Sequence, residues 1–265
     1  MLPFILLFLG FAFILGAVIG SFLNVCIFRI PEKESIVSPP SHCPSCDSGI
    51  KFYDNIPILS YLILRGKCRN CKTSISFRYP LIELLTALAS VMLMIHFGPT
   101  LSYLIYLVLV SSLIVITFID LDHRIIPDVI SLPAIPIGFA ASFLLPYVTW
   151  IDSLIGIVAG GGMLLLVAVV YEALTGQEGM GGGDIKLLAM LGAFLGWKGV
   201  LFTVMASSLL GTVIGGGLMV LSGKGRKFAI PFGPFLSLGA IIYLFWGELL
   251  IYWYLTLFER GGPPI

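Results

Sequence analysis

An all-α polytopic membrane protein of about eight transmembrane helices, carrying a small cytoplasmic four-cysteine zinc-binding insert, is the fold class that three observations predict. The 265-residue chain is 58% hydrophobic and 11% charged, with a mean hydropathy of +1.05. Soluble domains are nearer about 45–50% apolar and about 25% charged. Eight apolar runs, most of them long enough to cross a bilayer, follow one another along the chain. A single polar stretch, 29–79, interrupts them and holds eight of the 15 Lys and Arg residues and four of the five cysteines.

The first run, 3–28, has no Lys or Arg before it and Arg29 directly after it. A secretory signal has the opposite arrangement, so this run reads as a retained helix with its N-terminus outside. Gly16 and Gly20 form a small-xxx-small pair on which another helix can pack closely. Cys26, inside the run, reads as a packing residue. The other runs cover 80–97, 101–119, 129–148, 152–173, 185–196, 199–221 and 231–256. The run at 185–196 is short for a full span, and eight crossings place both termini outside. The domain plan is therefore a first helix at 1–28, a cytoplasmic zinc-binding domain at 29–79 and a membrane domain at 80–265.

The distribution of positive charge tests this topology. The segments assigned to the cytoplasm hold 13 basic residues, including Arg124, Lys186, Lys224, Arg226 and Lys227; the far side holds only Lys198 and Arg260. Those loop cations read as topology determinants that meet anionic lipid headgroups. A net charge of +1 gives no reason to expect a nucleic-acid partner, and none is expected.

Within the insert, Cys43-Pro-Ser-Cys46 and Cys68-Arg-Asn-Cys71 are two C-x-x-C pairs separated by 21 residues. Each pair can turn both sulfurs toward one ion, and two such pairs complete a tetrahedral thiolate shell for structural zinc. A stretch this short has little apolar core, so a metal would supply its folding free energy. Disulfide or redox-active pairs are the alternative. Pro39-Pro40 and Pro57 divide the insert, which predicts turns and short strands rather than long helices.

Two carboxylates stand where apolar runs meet water. Asp120 ends the third run in Ile119-Asp120-Leu121-Asp122, and Asp184 follows three glycines in Gly179-Met180-Gly181-Gly182-Gly183-Asp184-Ile185-Lys186. Charge is costly at membrane depth, so such carboxylates are functional candidates. On a continued helix Asp120 and Asp122 point to different faces. Asp120 lies closer to the membrane domain and is preferred, with Asp122 still open. Asp128 reads as the N-cap of the next helix. Two carboxylates brought close share a proton, and one can then act as a general base on water. That chemistry needs no metal and suits peptide hydrolysis at a membrane face. Glu83 either pairs with Arg78 or serves another reaction, and the segment with Asp54, Asn55 and Pro57 is a candidate for binding substrate or cofactor.

Taken together, these motifs resemble the type IV prepilin peptidases, membrane aspartic proteases with a glycine-aspartate motif. Gly20-Ser21-Phe22-Leu23-Asn24-Val25 with Arg29 and Pro31 is similar to that family's N-terminal signature. The cysteine pairs, Arg78-Tyr79-Pro80 with Glu83-Leu84-Leu85-Thr86, and Pro231-Phe232-Gly233-Pro234-Phe235 extend the likeness over nearly the whole chain. The resemblance implies a bacterial cytoplasmic (inner) membrane enzyme. It would cut the basic leader of prepilins or pseudopilins after a glycine, with Asp120 and Asp184 catalytic. It also implies methylation of the new N-terminus with S-adenosylmethionine, and it assigns that cofactor no residues. The competing reading is a proton- or cation-coupled transporter using the same aspartates, although a transporter tends to carry its charges near mid-membrane. A structural assembly factor whose carboxylates only cap helices is a third reading.

Overall fold

A computed structural model describes residues 2–176, 181–217 and 231–259. The expectations for Gly179, Met180, Lys224, Arg226, Lys227 and Arg260 lie outside those residues. Six described helices are long and apolar enough to cross a membrane. The chain divides into two compact units, Met1–His123 and Arg124–Ile265.

In the first unit α1 (Leu2–Arg29), α3 (Arg78–Phe97) and α4 (Leu101–His123) pack on one another. α1 and α3 run antiparallel and meet at the two predicted glycines. A Cβ on Gly16 would lie 2.7 Å from Ala87 Cα, and one on Gly20 would lie 2.6 Å from Glu83 Cα. Glycine at both positions lets the backbones approach closely, which is how apolar helices gain contact where lipid is as oily as they are. Ser90 links three helices: its hydroxyl donates to Ala12 O at 2.7 Å and lies 2.8 Å from the Tyr103 hydroxyl. Cys26 is buried, as expected of a packing residue, while Leu6, Leu7 and Ile14 on α1 stay exposed for lipid.

The polar insert joins α1 to α3. Among its described residues there is no strand; the short strands expected there reduce to two isolated bridges, His42 with Gly49 and Lys67 with Ser74. Each bridge closes a tight turn around a cysteine pair, which leaves too few residues to extend a ladder. A 3-10 turn at Phe52–Asp54 and the short helix α2 (Leu59–Ile63) lie between the turns. Arg29, buried at the end of α1, folds the chain back by donating to Ser35 O at 2.9 Å and Pro39 O at 2.7 Å.

The second unit holds α5 (Asp128–Ala141), α6 (Trp150–Thr175), α7 (Gly182–Leu210) and α8 (Gly233–Glu259). The run 129–148 does not form one span. α5 stops after 14 residues, because Pro146 disfavours helix at the residue before it and 142–148 turn instead. Thr149 and Asp152 then start α6 with a reciprocal cap, Asp152 N donating to Thr149 Oγ1 at 3.1 Å and Thr149 N to Asp152 Oδ2 at 3.3 Å. α7 breaks at Gly196, whose φ of 70° and ψ of 179° are open to glycine at little cost. With α7 counted as two segments and with the shorter α5, each of the eight apolar runs corresponds to a helix.

α6 runs antiparallel to the first part of α7 at near-minimal separation. A Cβ on Gly192 would overlap the Gly156 carbonyl, and one on Gly160 would overlap the Leu188 carbonyl. Because backbone blocks backbone, no rotamer change relieves the clash. Gly192→Ala is therefore expected to cost about 1–3 kcal/mol. The thermal midpoint in detergent should fall by about 3–10 °C at the usual slope for a chain of this size. Gly162→Ala, which meets no atom within 4 Å, should not lower that midpoint and should raise it by up to a few degrees, since alanine is the better helix former.

Candidate active site and metal centre

The two cysteine turns share one backbone plan. Cys43 N donates to Ser48 O and Asp47 N to Cys43 O; 25 positions on, Cys68 N donates to Thr73 O and Lys72 N to Cys68 O. Asp47 and Lys72 both take positive φ, 58° and 61°. This local repeat, invisible in side chains other than the cysteines, aims the sulfurs from fixed backbone. The four Sγ atoms lie within 4.8 Å of one another, with Cys43 and Cys71 3.8 Å apart. A tetrahedron of Zn–S bonds near 2.3 Å separates its sulfurs by about 3.8 Å. The cluster thus has the size that such an ion requires.

The surrounding groups prepare the thiols for a cation. Hydrogen bonds from the Ser48 hydroxyl, then the Ser48 N–H and the Asn70 amide, bring Cys46 down to about 6. The N–H groups of Cys71 and Asn70 lower Cys68. Cys43 accepts from the Ser45 and Cys46 N–H groups, which favours its thiolate, but burial and the crowding Cys68 and Cys46 sulfurs push it up to about 11. Four thiolates cannot coexist here without positive charge among them. His42 turns away from the cluster, its Nε2 3.7 Å from Asp47 and its Nδ1 3.3 Å from Pro40 O.

Asp54, a candidate for binding substrate or cofactor, instead braces the second turn. Arg69 Nε donates to both of its carboxylate oxygens at 3.0 and 2.8 Å, and Nη2 donates to Oδ1 at 2.6 Å. These hydrogen bonds and the guanidinium charge hold the Asp54 carboxyl below its usual range. A depressed carboxylate stabilises the folded form above its unfolded value, near about 3.9, and loses that effect as pH falls through the lower folded value. The difference in protease resistance of the insert between wild type and Asp54→Asn should be full at pH 7 and should close below about pH 4.

Glu83 is buried near the start of α3 and accepts from Ile58 N at 2.7 Å. Pairing with Arg78, one of the two readings of Glu83, does not form. Ile58 has φ of 64°, costly for a β-branched residue, and the Glu83 carboxylate holds it there. Glu83 thus fastens the insert to the membrane helices.

Asp120 and Asp122 both lie on α4, which runs four residues past the apolar run to His123. They face apart, as the helical spacing requires: Asp120 is 5% exposed, whereas the Asp122 side chain is 39% exposed. Arg78 Nη1 donates to Asp122 Oδ2 at 2.5 Å. The sequence reading missed this bond, because 44 positions separate the partners and only the fold joins them.

In the second unit Asp184 sits in the first turn of α7, with Gly181 as N-cap and Asp184 N donating to Gly181 O at 3.2 Å. A carboxylate there is favoured by the helix dipole. The glycines before it serve packing as well: a Cβ on Gly183 would lie 2.9 Å from Ile126 Cβ. Asp128 is not an N-cap. Pro127 holds that place, and the Asp128 carboxylate binds Lys186 Nζ at 2.7 and 2.8 Å, which ties α5 to the start of α7. The folded chain thus gathers the four cysteines, and it sets Asp120 and Asp184 each near a helix end, one in each unit.

These features define a multi-pass helical membrane protein with a four-thiol cluster that could hold a metal ion and with one carboxylate near a helix end in each unit. Two family models match it: the Bacterial Peptidase A24 N-terminal domain over residues 14–97 and the Type IV leader peptidase family over 107–216. The chain is 41% identical to a prepilin leader peptidase/N-methyltransferase of Aeromonas hydrophila over 95% of each chain. It is 39% identical to the Pseudomonas aeruginosa protein of that name over 91% of each. No solved structure matches it. The chain belongs to the type IV leader peptidase family.

Proposed function

We propose that this protein cuts the leader from type IV prepilins or pseudopilins and methylates the N-terminus so exposed. The full-length likeness to enzymes named for both activities is the observation that carries the reading. Nothing in the fold or in these relatives favours the transporter reading. Asp120 and Asp184 are the proposed catalytic pair, on the cytoplasmic face of the bacterial inner membrane, where the substrate's basic leader lies. One carboxylate, ionised, takes a proton from water as that water attacks the scissile carbonyl; the other, protonated, donates to the carbonyl oxygen. Asp120 is buried and Asp184 half-buried, each within a turn of a helix end, and these positions support the roles.

Cys43, Cys46, Cys68 and Cys71 are the proposed ligands of one structural zinc ion, and residues 29–79 form the cytoplasmic domain that it stabilises. With four protein ligands no position is open for catalysis. S-adenosylmethionine, when bound, supplies the methyl group. A cleft of about 330 Å³ in the first unit is lined by Phe28, Tyr79, Glu32, Arg78 and Asp122. With Asp122 paired to Arg78, Glu32 and the two rings are the groups it offers a sulfonium cation.

The test is incubation of purified protein with a prepilin and methyl-labelled S-adenosylmethionine in detergent. The reading requires loss of the leader mass and label on the mature N-terminus. An intact prepilin with a well-folded enzyme would overturn it.

A further inference from the structure

The peptidase reading assigns Asp120 a reacting position, and the structure shows how α4 is held around it. Phe118 and Asp122 lie two residues to either side of Asp120. At about 100° per residue they project from the helix face opposite it. One residue from another helix grips both. Arg78, at the first position of α3, donates from Nη1 to Asp122 Oδ2 at 2.5 Å and from Nη2 to Phe118 O at 3.2 Å. Its guanidinium also stacks over the Phe118 ring at 4.9 Å. Three contacts from one planar group fix the last turns of α4 against rotation about the helix axis. A cation is also favoured at this C-terminal end by the helix dipole.

Stability alone does not account for this arrangement. Arg78 and Asp122 are 33% and 39% exposed, the range in which an ion pair adds little to folding. The pose also leaves Arg78 Nε buried with no hydrogen-bond partner, which costs stability. Lysine would supply the charge without the fork, the stacking or the second bond.

We propose, on the peptidase reading above, that Arg78 is a positioning residue that sets the roll of α4 and so aims Asp120. Asp122 is its anchor and not the base. A carboxylate about 5 Å from the helix axis moves about 1 Å for a roll of about 10–15°. A 1 Å misplacement of a reacting group costs about 100-fold in rate.

The test uses the full-length enzyme in detergent, with kcat and KM for leader removal measured separately beside the thermal midpoint. Arg78→Ala and Asp122→Asn should each lower kcat by about 30–100-fold, with KM within about threefold and the midpoint unchanged. Arg78→Lys should recover about fivefold over Arg78→Ala. The double variant Arg78→Ala with Asp122→Asn should be no slower than either single change, as for two residues acting as one device. Wild-type kcat in both single variants, with Asp120→Asn inactive, would overturn the positioning role and leave the peptidase reading standing. Cleavage by Asp120→Asn would remove the site assignment itself. Asp122→Asn is near-isosteric and keeps the proposal open to disproof if Arg78→Ala does not fold. Asp122→Asn as inactive as Asp120→Asn, with Arg78→Ala active, would make Asp122 a catalytic residue and end the proposal.

Discussion

Asp120→Asn should abolish leader cleavage, lowering kcat/KM by about 1,000-fold or more, and Asp184→Asn should do the same. An amide keeps the shape of the carboxyl group and cannot take a proton from water. General-base assistance alone is worth about 100- to 10,000-fold, and groups that act as a unit lose most of the rate when either is removed. Both variants should fold. The helix-dipole contribution of Asp184 is about 0.3–1 kcal/mol, a small part of the stability of a folded domain, and asparagine keeps the shape and hydrogen-bonding capacity of the side chain. The outcome is read as intact prepilin on a gel beside an unchanged circular dichroism spectrum. Asp122→Asn in the same assay should stay measurably active, which separates the reacting carboxylate from its neighbour two residues on. Retained cleavage in both Asp120→Asn and Asp184→Asn would remove the two-aspartate mechanism.

The second large effect is expected on removing the metal. Purified protein should carry about one zinc per chain, and Cys43→Ser or Cys71→Ser should carry far less. Structural zinc is worth about 10–16 kcal/mol of apparent binding free energy in small zinc-folded peptides at neutral pH. The insert has little apolar core to replace it. A strong chelator should open residues 30–77 to protease while the membrane helices stay protected. Acidification should act in the same direction, because protons compete for the thiolates. Methyl transfer is expected to fall further than cleavage in the cysteine variants, since the proposed catalytic aspartates lie outside the insert. Zinc below half an equivalent, with disulfides in its place, would exclude the thiolate site.

Features written as periodicity or spacing were legible before the fold was seen. Composition and run length pointed to helices in a membrane. Gly16 and Gly20 marked a close helix contact, because close approach needs small residues four apart; that α3 is the partner came from the fold. The cysteine spacing called for one four-sulfur cluster, because a two-residue spacer turns both sulfurs the same way. The parts that stayed hidden depend on partners distant in the chain. Asp128 offered a good capping side chain, yet Lys186, 58 positions on, took it. Glu83 and Arg78 are five residues apart on one helix, and pairing was one of two readings, yet each reaches a separate segment, Ile58 and Asp122. The matching backbone of the two cysteine turns was hidden because most side chains within them differ.

Gly196 also bears on the surroundings of the protein. The part of α7 before it, 182–195, is 14 residues long, as is α5, which runs parallel beside it. At 1.5 Å per residue each covers about 21 Å, against a hydrocarbon layer of about 30 Å. Residues 187–195 of α7 are buried in protein, so α5, with Val129, Leu132 and Ile137 exposed, is the member that meets lipid. Acyl chains beside it shorten or tilt at a modest cost per ångström. The bilayer is therefore expected to thin beside α5, whose first residue, Asp128, is bonded to Lys186 two positions beyond Asp184.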